Sequence, residues 1–283
     1  MNLTFKKINS ITKITKKTKV VNFSVQKNEN YFANGVLTHN CYCKRNTDEK
    51  VSIATNVNEI LDVINRHAYF TPVEKPNQTH PVYTSYDLSC NEDFSLHSKY
   101  HNWKLIFDFF RDHPIAMGSF ATKFVNKDFL NYNPKQKIRI RFSLMPEKFS
   151  KVLEPNTSSI SKRIKAIKDF QNAGYDVHIN YSPVIVNEEW LTLYKELFKQ
   201  VAKEKVDTKA EVIFLTHNYK KHLSNLGKAG EELLWKPSLQ ENKVSQYGQT
   251  NIRYKAYYKK KFIEDFIKLH DKYLPNETIR YIF

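Results

Sequence analysis

The residues whose spacing carries the most chemistry lie between Asn30 and Lys44. His39, Asn40 and Cys41 are consecutive. An asparagine amide nitrogen can attack its own main-chain carbonyl, close a succinimide and cut the bond that follows. A neighbouring imidazole, here His39, polarises that carbonyl or moves the proton. Cys41, on the far side of the bond, is a thiol nucleophile able to carry an acyl group. The tripeptide therefore holds the groups that cleavage and acyl transfer between Asn40 and Cys41 require. Cys43 follows two residues later, and the remaining cysteine, Cys90, stands apart. Three thiols do not build a disulfide framework. They read as reactive or metal-binding groups. Cys41-Tyr42-Cys43 alone has too few thiolates for an iron–sulfur cluster, and Cys43 also reads as a structural thiol.

With Ala33-Asn34-Gly35-Val36-Leu37 ahead of it, the tripeptide resembles the C-terminal splice motif of inteins, and Val20-Val21-Asn22-Phe23-Ser24-Val25 resembles the strand before that motif. Asn22 stands where that family often has Asp, and Glu29 where it often has His. The resemblance covers residues 1–40 and implies the C-terminal fragment of a split intein, a short β-rich Hint fragment whose N-terminal half a separate chain supplies. The implied domains are 1–40 for that fragment and 41–283 for the body. Splicing would join Cys41 to an upstream segment. A cysteine ending that segment would make C-x-x-C with Cys43, and a further one four residues earlier would complete C-x-x-x-C-x-x-C, the radical S-adenosylmethionine motif.

Charge narrows the partners. The formal net charge is +16, from 45 Lys+Arg against 29 Asp+Glu, with 14% aromatic residues. Basic charge interleaved with Tyr and Phe suits a polyanion with stackable bases; solvated lysine faces are the alternative. No apolar run is long enough to span a bilayer, and residues 1–20 lack a signal-peptide core. The expectation is a soluble, cytoplasmic protein.

Periodicity places the elements. A helix begins at 58–64 with apolar positions 60, 61, 63 and 64. Strands are expected over 82–86, leading to Cys90, and over 116–124, ending at Lys123. A helix runs 103–110. Ile138-Arg139-Ile140-Arg141-Phe142-Ser143-Leu144 is a strand of β-branched and aromatic residues. The next helix carries one stripe, Ile160, Ile164, Ile167 and Phe170, capped by Ser158 or Ser159 and stopped by Gly174. A strand over 177–186 is interrupted by Pro183; a helix over 190–201, a strand over 211–216, a helix over 260–273 and a strand over 279–283 follow. This alternation implies an α/β fold with a parallel sheet, open or closed into a partial barrel. Tyr247 to Tyr258 reads as a β-hairpin with cations and aromatics.

From Cys41 to Phe283 the chain resembles spore photoproduct lyase, a radical S-adenosylmethionine DNA repair family. The stretches that carry it include Ser119-Phe120-Ala121-Thr122-Lys123, the 138–144 strand, Glu154-Pro155-Asn156-Thr157-Ser158 with Arg163, Ala173-Gly174-Tyr175 and Leu215-Thr216-His217. The resemblance implies a partial (β/α) barrel, here lacking its N-terminal part, a [4Fe–4S] cluster and S-adenosylmethionine. It implies that Cys43 is the third cluster ligand, Tyr42 a radical-relay residue, and Cys90 the donor of a hydrogen atom to the product radical. Lys44 stands where the family often has a second tyrosine. Lys123, Ser143 and Ser182 match cofactor-contacting positions. Arg253 and Lys255 would hold phosphates of DNA containing a thymine photoproduct, and Tyr254 would wedge or stack. Another radical reaction, or a non-catalytic nucleic-acid-binding protein, are the alternatives.

Overall fold

The structure is a computed structural model that describes residues 56–70, 80–88, 93–100, 102–219, 222–223, 226–228, 230–244 and 250–283, with the backbone alone at 30–33, 36–39, 217 and 218. Strands β1 (Asn30–Ala33) and β2 (Val36–His39) pair antiparallel with Ala33 opposite Val36. The two residues between them in sequence, Asn34 and Gly35, are those a tight hairpin prefers, because both accept positive φ.

The body alternates strands and helices: α1 (Val57–Phe70), β3 (Thr84–Asp87), α2 (Phe94–His97), α3 (Trp103–Asp112), β4 (Ala116–Thr122), β5 (Ile138–Ser143), α4 (Glu147–Leu153), α5 (Ile160–Asn172), β6 (Asp176–Val184), α6 (Trp190–Lys203) and β7 (Lys209–Phe214). A small antiparallel sheet follows, from β8 (Thr216–Asn218), β9 (Gln240–Val244) and β10 (Thr250–Tyr254), with the short helix α7 (Glu231–Leu234) between β8 and β9. Helix α8 (Ala256–Tyr273) and β11 (Thr278–Ile282) close the chain. The main sheet is a parallel half-barrel in the order β11-β7-β6-β5-β4-β3. The expected parallel sheet is therefore present, and the choice between open sheet and partial barrel falls to the latter.

The outer face of the half-barrel is apolar. Ile138, Ile140 and Phe142 of β5 and Val177, Ile179 and Tyr181 of β6 sit in one core with the helices. Helix α5 delivers Ile160, Ile164, Ile167 and Phe170 to that core as expected, and Ser159 caps it by accepting from the Lys162 N–H at 3.4 Å. The chain leaves α5 at Gly174, whose φ is +93°, and a Cβ there would lie 2.2 Å from Asn133 Oδ1. Only glycine fits that exit.

A polar clamp ties the sheet to α8. His270 is fully buried, and its Nε2 lies 2.8 Å from Glu277 Oε2. The Tyr181 hydroxyl donates to the same oxygen at 3.0 Å, and the Thr208 hydroxyl donates to Glu277 Oε1. Burial alone would lower the His270 pKa. The hydrogen bonds to Glu277 and Asp271 outweigh it and hold the imidazole above its ordinary value. A raised pKa contributes stability that is fully present below the unfolded value, about 6.5, and is lost as pH rises through the folded value. Unfolding midpoints in urea, measured between about pH 6 and pH 9, should fall more steeply for the wild type than for His270→Gln. Parallel profiles would contradict the clamp.

Candidate active site

The inner face of the half-barrel is polar yet buried. In β5, Arg139, Arg141 and Ser143 alternate with the apolar residues, and every residue of the strand is buried. Their register partners on β6 are Asp176, His178 and Asn180. Arg139 Nε bonds Asp176 Oδ2 at 2.7 Å, and His178 Nε2 lies 3.1 Å from Asp176 Oδ1. Arg280 Nη1 lies 3.3 Å from His178 Nδ1. Guanidinium has only hydrogens to give, so Nδ1 accepts and Nε2 carries the proton toward Asp176. Burial keeps His178 neutral by lowering its pKa.

Above this, Arg141 reaches Asp87 on β3 at 2.7 Å and Glu211 on β7 at 3.5 Å. Glu211 also takes Arg280 at 2.8 Å and the Tyr281 hydroxyl at 2.9 Å. Burial pushes the Glu211 carboxyl up, but Arg141 and Arg280 outweigh it and keep the carboxylate ionised. Paired charges thus line the lower half-barrel, where removing either partner would strand a buried charge. The rim lies at the C-terminal ends of the strands, where barrel folds build their sites.

Lys123, Ser143 and Ser182 lie just after β4, at the end of β5 and near the end of β6, on three neighbouring strands. The Lys123 ammonium meets Glu154 Oε1 at 2.9 Å, and Glu154 Oε2 takes Arg163 Nη1 at 2.8 Å. Burial raises the Glu154 pKa, but Lys123 and Arg163 together set it below the usual carboxylate value. Arg163 Nη1 also donates to the Ser143 carbonyl at 2.8 Å, Nε to the Ser158 carbonyl at 2.8 Å and Nη2 to the Thr157 hydroxyl at 2.6 Å. On the other side, Asp93 accepts from the Lys123 N–H at 2.8 Å and the Thr122 hydroxyl at 2.7 Å. Asp93, Glu154 and Arg163 thus set the rim; as positioning residues Asp93 and Glu154 went unread, although Glu154-Pro155-Asn156-Thr157-Ser158 marked the loop.

Two corrections concern the C-terminal hairpin. Its strands are Gln240–Val244 and Thr250–Tyr254, so it starts earlier than expected, and residues 256–258 already belong to α8. Tyr254 is not a wedge or a stacking platform. Only 2% of it is exposed, its ring packs edge-on against Phe214 and Phe262, and its hydroxyl accepts from the Val186 N–H at 2.9 Å. Burial pushes that hydroxyl's pKa up to about 12. Along β10 the side chains alternate, so burying Ile252 and Tyr254 turns Arg253 outward. Arg253 Nη2 pairs with Glu241 at 3.2 Å, and Lys255 Nζ donates to the Ser238 carbonyl at 2.9 Å. The exposed ring nearby is Tyr257, 82% open. Tyr254→Phe should cost about 1–3 kcal/mol by stranding the Val186 N–H and leave DNA affinity unchanged. A filter-binding loss without a stability loss would restore the wedge.

Asn40, Cys41, Tyr42, Cys43 and Cys90 lie outside the described residues, and His39 is described only as the last backbone residue of β2. Among the described residues no group of three or more His, Cys, Asp or Glu could hold a metal, and no helix is long and apolar enough to cross a membrane.

The sequence and the fold have relatives. A spore photoproduct lyase from Bacillus subtilis (strain 168) is 30% identical over 176 residues, covering 60% of this chain and 49% of that protein. One from Clostridium acetobutylicum is 24% identical over 246 residues, covering 86% and 72%. The chain thus spans about half the length of the Bacillus relative. Among solved structures, a spore photoproduct lyase complexed with dinucleoside spore photoproduct superposes with a TM-score of 0.71 at 21% identity, covering 82% of this chain and 68% of that one. A variant with bound AdoMet and the same dinucleoside gives the same values. At that identity the likeness speaks for the fold. The spore photoproduct lyase family model matches residues 8–283, nearly the whole sequence, and on that match the chain belongs to the spore photoproduct lyase family.

Proposed function

We propose that residues 41–283 are the body of a radical S-adenosylmethionine lyase that reverses the methylene-linked thymine dimer known as spore photoproduct in DNA. The observation that carries this reading is the rim itself. Lys123, Ser143 and Ser182 stand on adjacent strand ends, with Lys123 held by Glu154 and Asp93 and the Ser143 carbonyl by Arg163, above a half-barrel lined by paired charges. The donor set fits S-adenosylmethionine. The partly open ammonium of Lys123 suits the carboxylate of its amino-acid end, and Ser143 and the buried amide of Asn180 suit a nucleoside. Cys43 is the thiolate this chain offers to the [4Fe–4S] cluster, with two more supplied from upstream. When bound, cluster and cofactor supply hydrogen-atom abstraction from the lesion. Cys90, three residues beyond β3 in sequence, then gives a hydrogen atom to the thymine product, and Tyr42 lies in the relay. Arg253, Lys255 and the exposed Tyr257 contact the DNA. Homologues named spore photoproduct lyase support the substrate assignment.

We further propose that the segment ending at Asn40 is spliced away, joining Cys41 to an upstream segment carried by a separate chain. The β1–β2 hairpin, with Ala33 opposite Val36, supports this by ending β2 at His39 beside the scissile residue. The family match begins at residue 8, ahead of this boundary. Mixing the chain with its partner should yield a ligated product that, unlike the unspliced chain, takes up a full [4Fe–4S] cluster on anaerobic reconstitution. Asn40→Ala should stop ligation. A complete cluster spectrum from the unspliced chain alone would sink the divided-motif argument.

A further inference from the structure

Strand β6 reads Asp176-Val177-His178-Ile179-Asn180-Tyr181-Ser182. Val177, Ile179 and Tyr181 belong to the helix-side core, so Asp176, His178 and Asn180 face the inside of the half-barrel. Asp176 and His178 are engaged by Arg139 and Arg280. Asn180 is not. It is only 7% exposed, and its Oδ1 is buried with no hydrogen-bond partner among the described residues. Its Cα is in register with Ser143 on one side and Glu211 on the other, and its main-chain carbonyl accepts from the Leu144 N–H at 2.9 Å. Those contacts fix it at the level of the rim. Its diagonal neighbour on β5 is Arg141, whose Nη atoms hold Asp87 and Glu211 while its buried Nε has no partner among the described residues.

A buried amide oxygen left unpaired is costly, and native interiors rarely keep one without a use. Here an unused acceptor and an unused donor lie on neighbouring strands beneath the same rim. We propose that Asn180 Oδ1 and Arg141 Nε read the nucleoside end of the cofactor, Oδ1 accepting an N–H or O–H and Nε donating to a lone pair. This rests on the proposed cofactor pocket. The nucleoside end is the better match because the amino-acid end needs a full charge, such as the Lys123 ammonium at the rim, whereas a nucleoside edge presents neutral donors beside acceptors.

The test uses this full chain, ligand-observed NMR at millimolar ligand, and three probes: S-adenosylhomocysteine, adenosine and methionine. Asn180→Leu keeps the side chain's size and removes its polar atoms. It should weaken S-adenosylhomocysteine and adenosine by about tenfold or more and leave methionine unchanged. Its ligand-free melting temperature should equal or exceed that of the wild type, because an unpaired buried group has been removed. Asn180→Asp, which keeps an acceptor, should bind within roughly threefold of the wild type. Unchanged adenosine binding in Asn180→Leu would overturn the assignment. A fall in its ligand-free melting temperature would do the same by giving Asn180 a structural role. If the wild type bound neither adenosine nor S-adenosylhomocysteine, the cofactor pocket itself would fall, a result distinct from loss of the Asn180 contact alone.

Discussion

Arg163→Ala should destabilise the protein by about 3–5 kcal/mol, the loss seen when one partner of a buried ion pair is removed. Arg163 is 0% exposed and spends its guanidinium on four oxygens: Glu154 Oε2, the Ser143 and Ser158 carbonyls, and the Thr157 hydroxyl. Without it, Glu154 keeps Lys123, which is partly open to solvent, and the long Ser150 hydroxyl bond at 3.3 Å. The Ser143 carbonyl loses the charged donor that reaches it from α5. Arg163→Lys should rescue little of the loss, because one ammonium cannot span a fork of that geometry. The Glu154 carboxyl is held below its ordinary pKa. Its contribution to stability is therefore present above the unfolded pKa, about 4.3, and is lost as pH falls through the folded value. Arg163→Ala should thus tolerate acid less badly relative to its own neutral-pH stability than the wild type does. Urea unfolding at neutral and acid pH reads both effects. A loss under about 1 kcal/mol would show that the rim does not depend on this arginine.

Cys90→Ala should divert the proposed reaction. If Cys90 returns the hydrogen atom, cluster uptake, cofactor cleavage and DNA binding survive the substitution. The normal thymine product should then fall by roughly tenfold or more, equivalent to about 1.4 kcal/mol in barrier, and adducts or misdirected products should take its place. The proposed splicing should be unaffected, since that step is assigned to Cys41. A cysteine that merely fills space behaves differently: its loss costs on the order of 1 kcal/mol through a small cavity and leaves the product normal. Product analysis by mass spectrometry separates the two. Normal product from a well-folded Cys90→Ala protein would move the hydrogen source elsewhere, to Tyr42 first.

Much of the fold was legible because local chemistry and tertiary placement agree. The Ile160–Phe170 stripe and its serine cap define α5 before any packing is known, and alternating strands and helices imply the parallel sheet. The polar half of the barrel was harder. Ile138-Arg139-Ile140-Arg141-Phe142-Ser143 alternates as a half-exposed strand would, yet both of its faces are buried. The inner face can be buried because Asp87, Asp176 and Glu211 arrive from distant parts of the sequence to neutralise its arginines. Asn180 hid for the same reason, as the third polar residue of an alternating strand. The hairpin misled through β9. Gln240-Glu241-Asn242-Lys243-Val244 has almost no strand signature of its own and is a strand through its pairing with β10. The alternation of Ile252 and Tyr254 against Arg253 was present in the sequence, and it predicts the burial of Tyr254 once a core behind the hairpin is recognised.

The central claim is the chemistry proposed for the rim, and lesion reversal tests it most directly. The ligated, cluster-loaded protein should be incubated anaerobically with reductant, S-adenosylmethionine and dinucleoside spore photoproduct, and the products separated by chromatography. The account predicts conversion to the unlinked thymine dinucleoside, abolished by Lys123→Ala together with Ser143→Ala and altered in product identity by Cys90→Ala. Consumption of S-adenosylmethionine with the lesion left intact would contradict it and assign the same rim to another substrate.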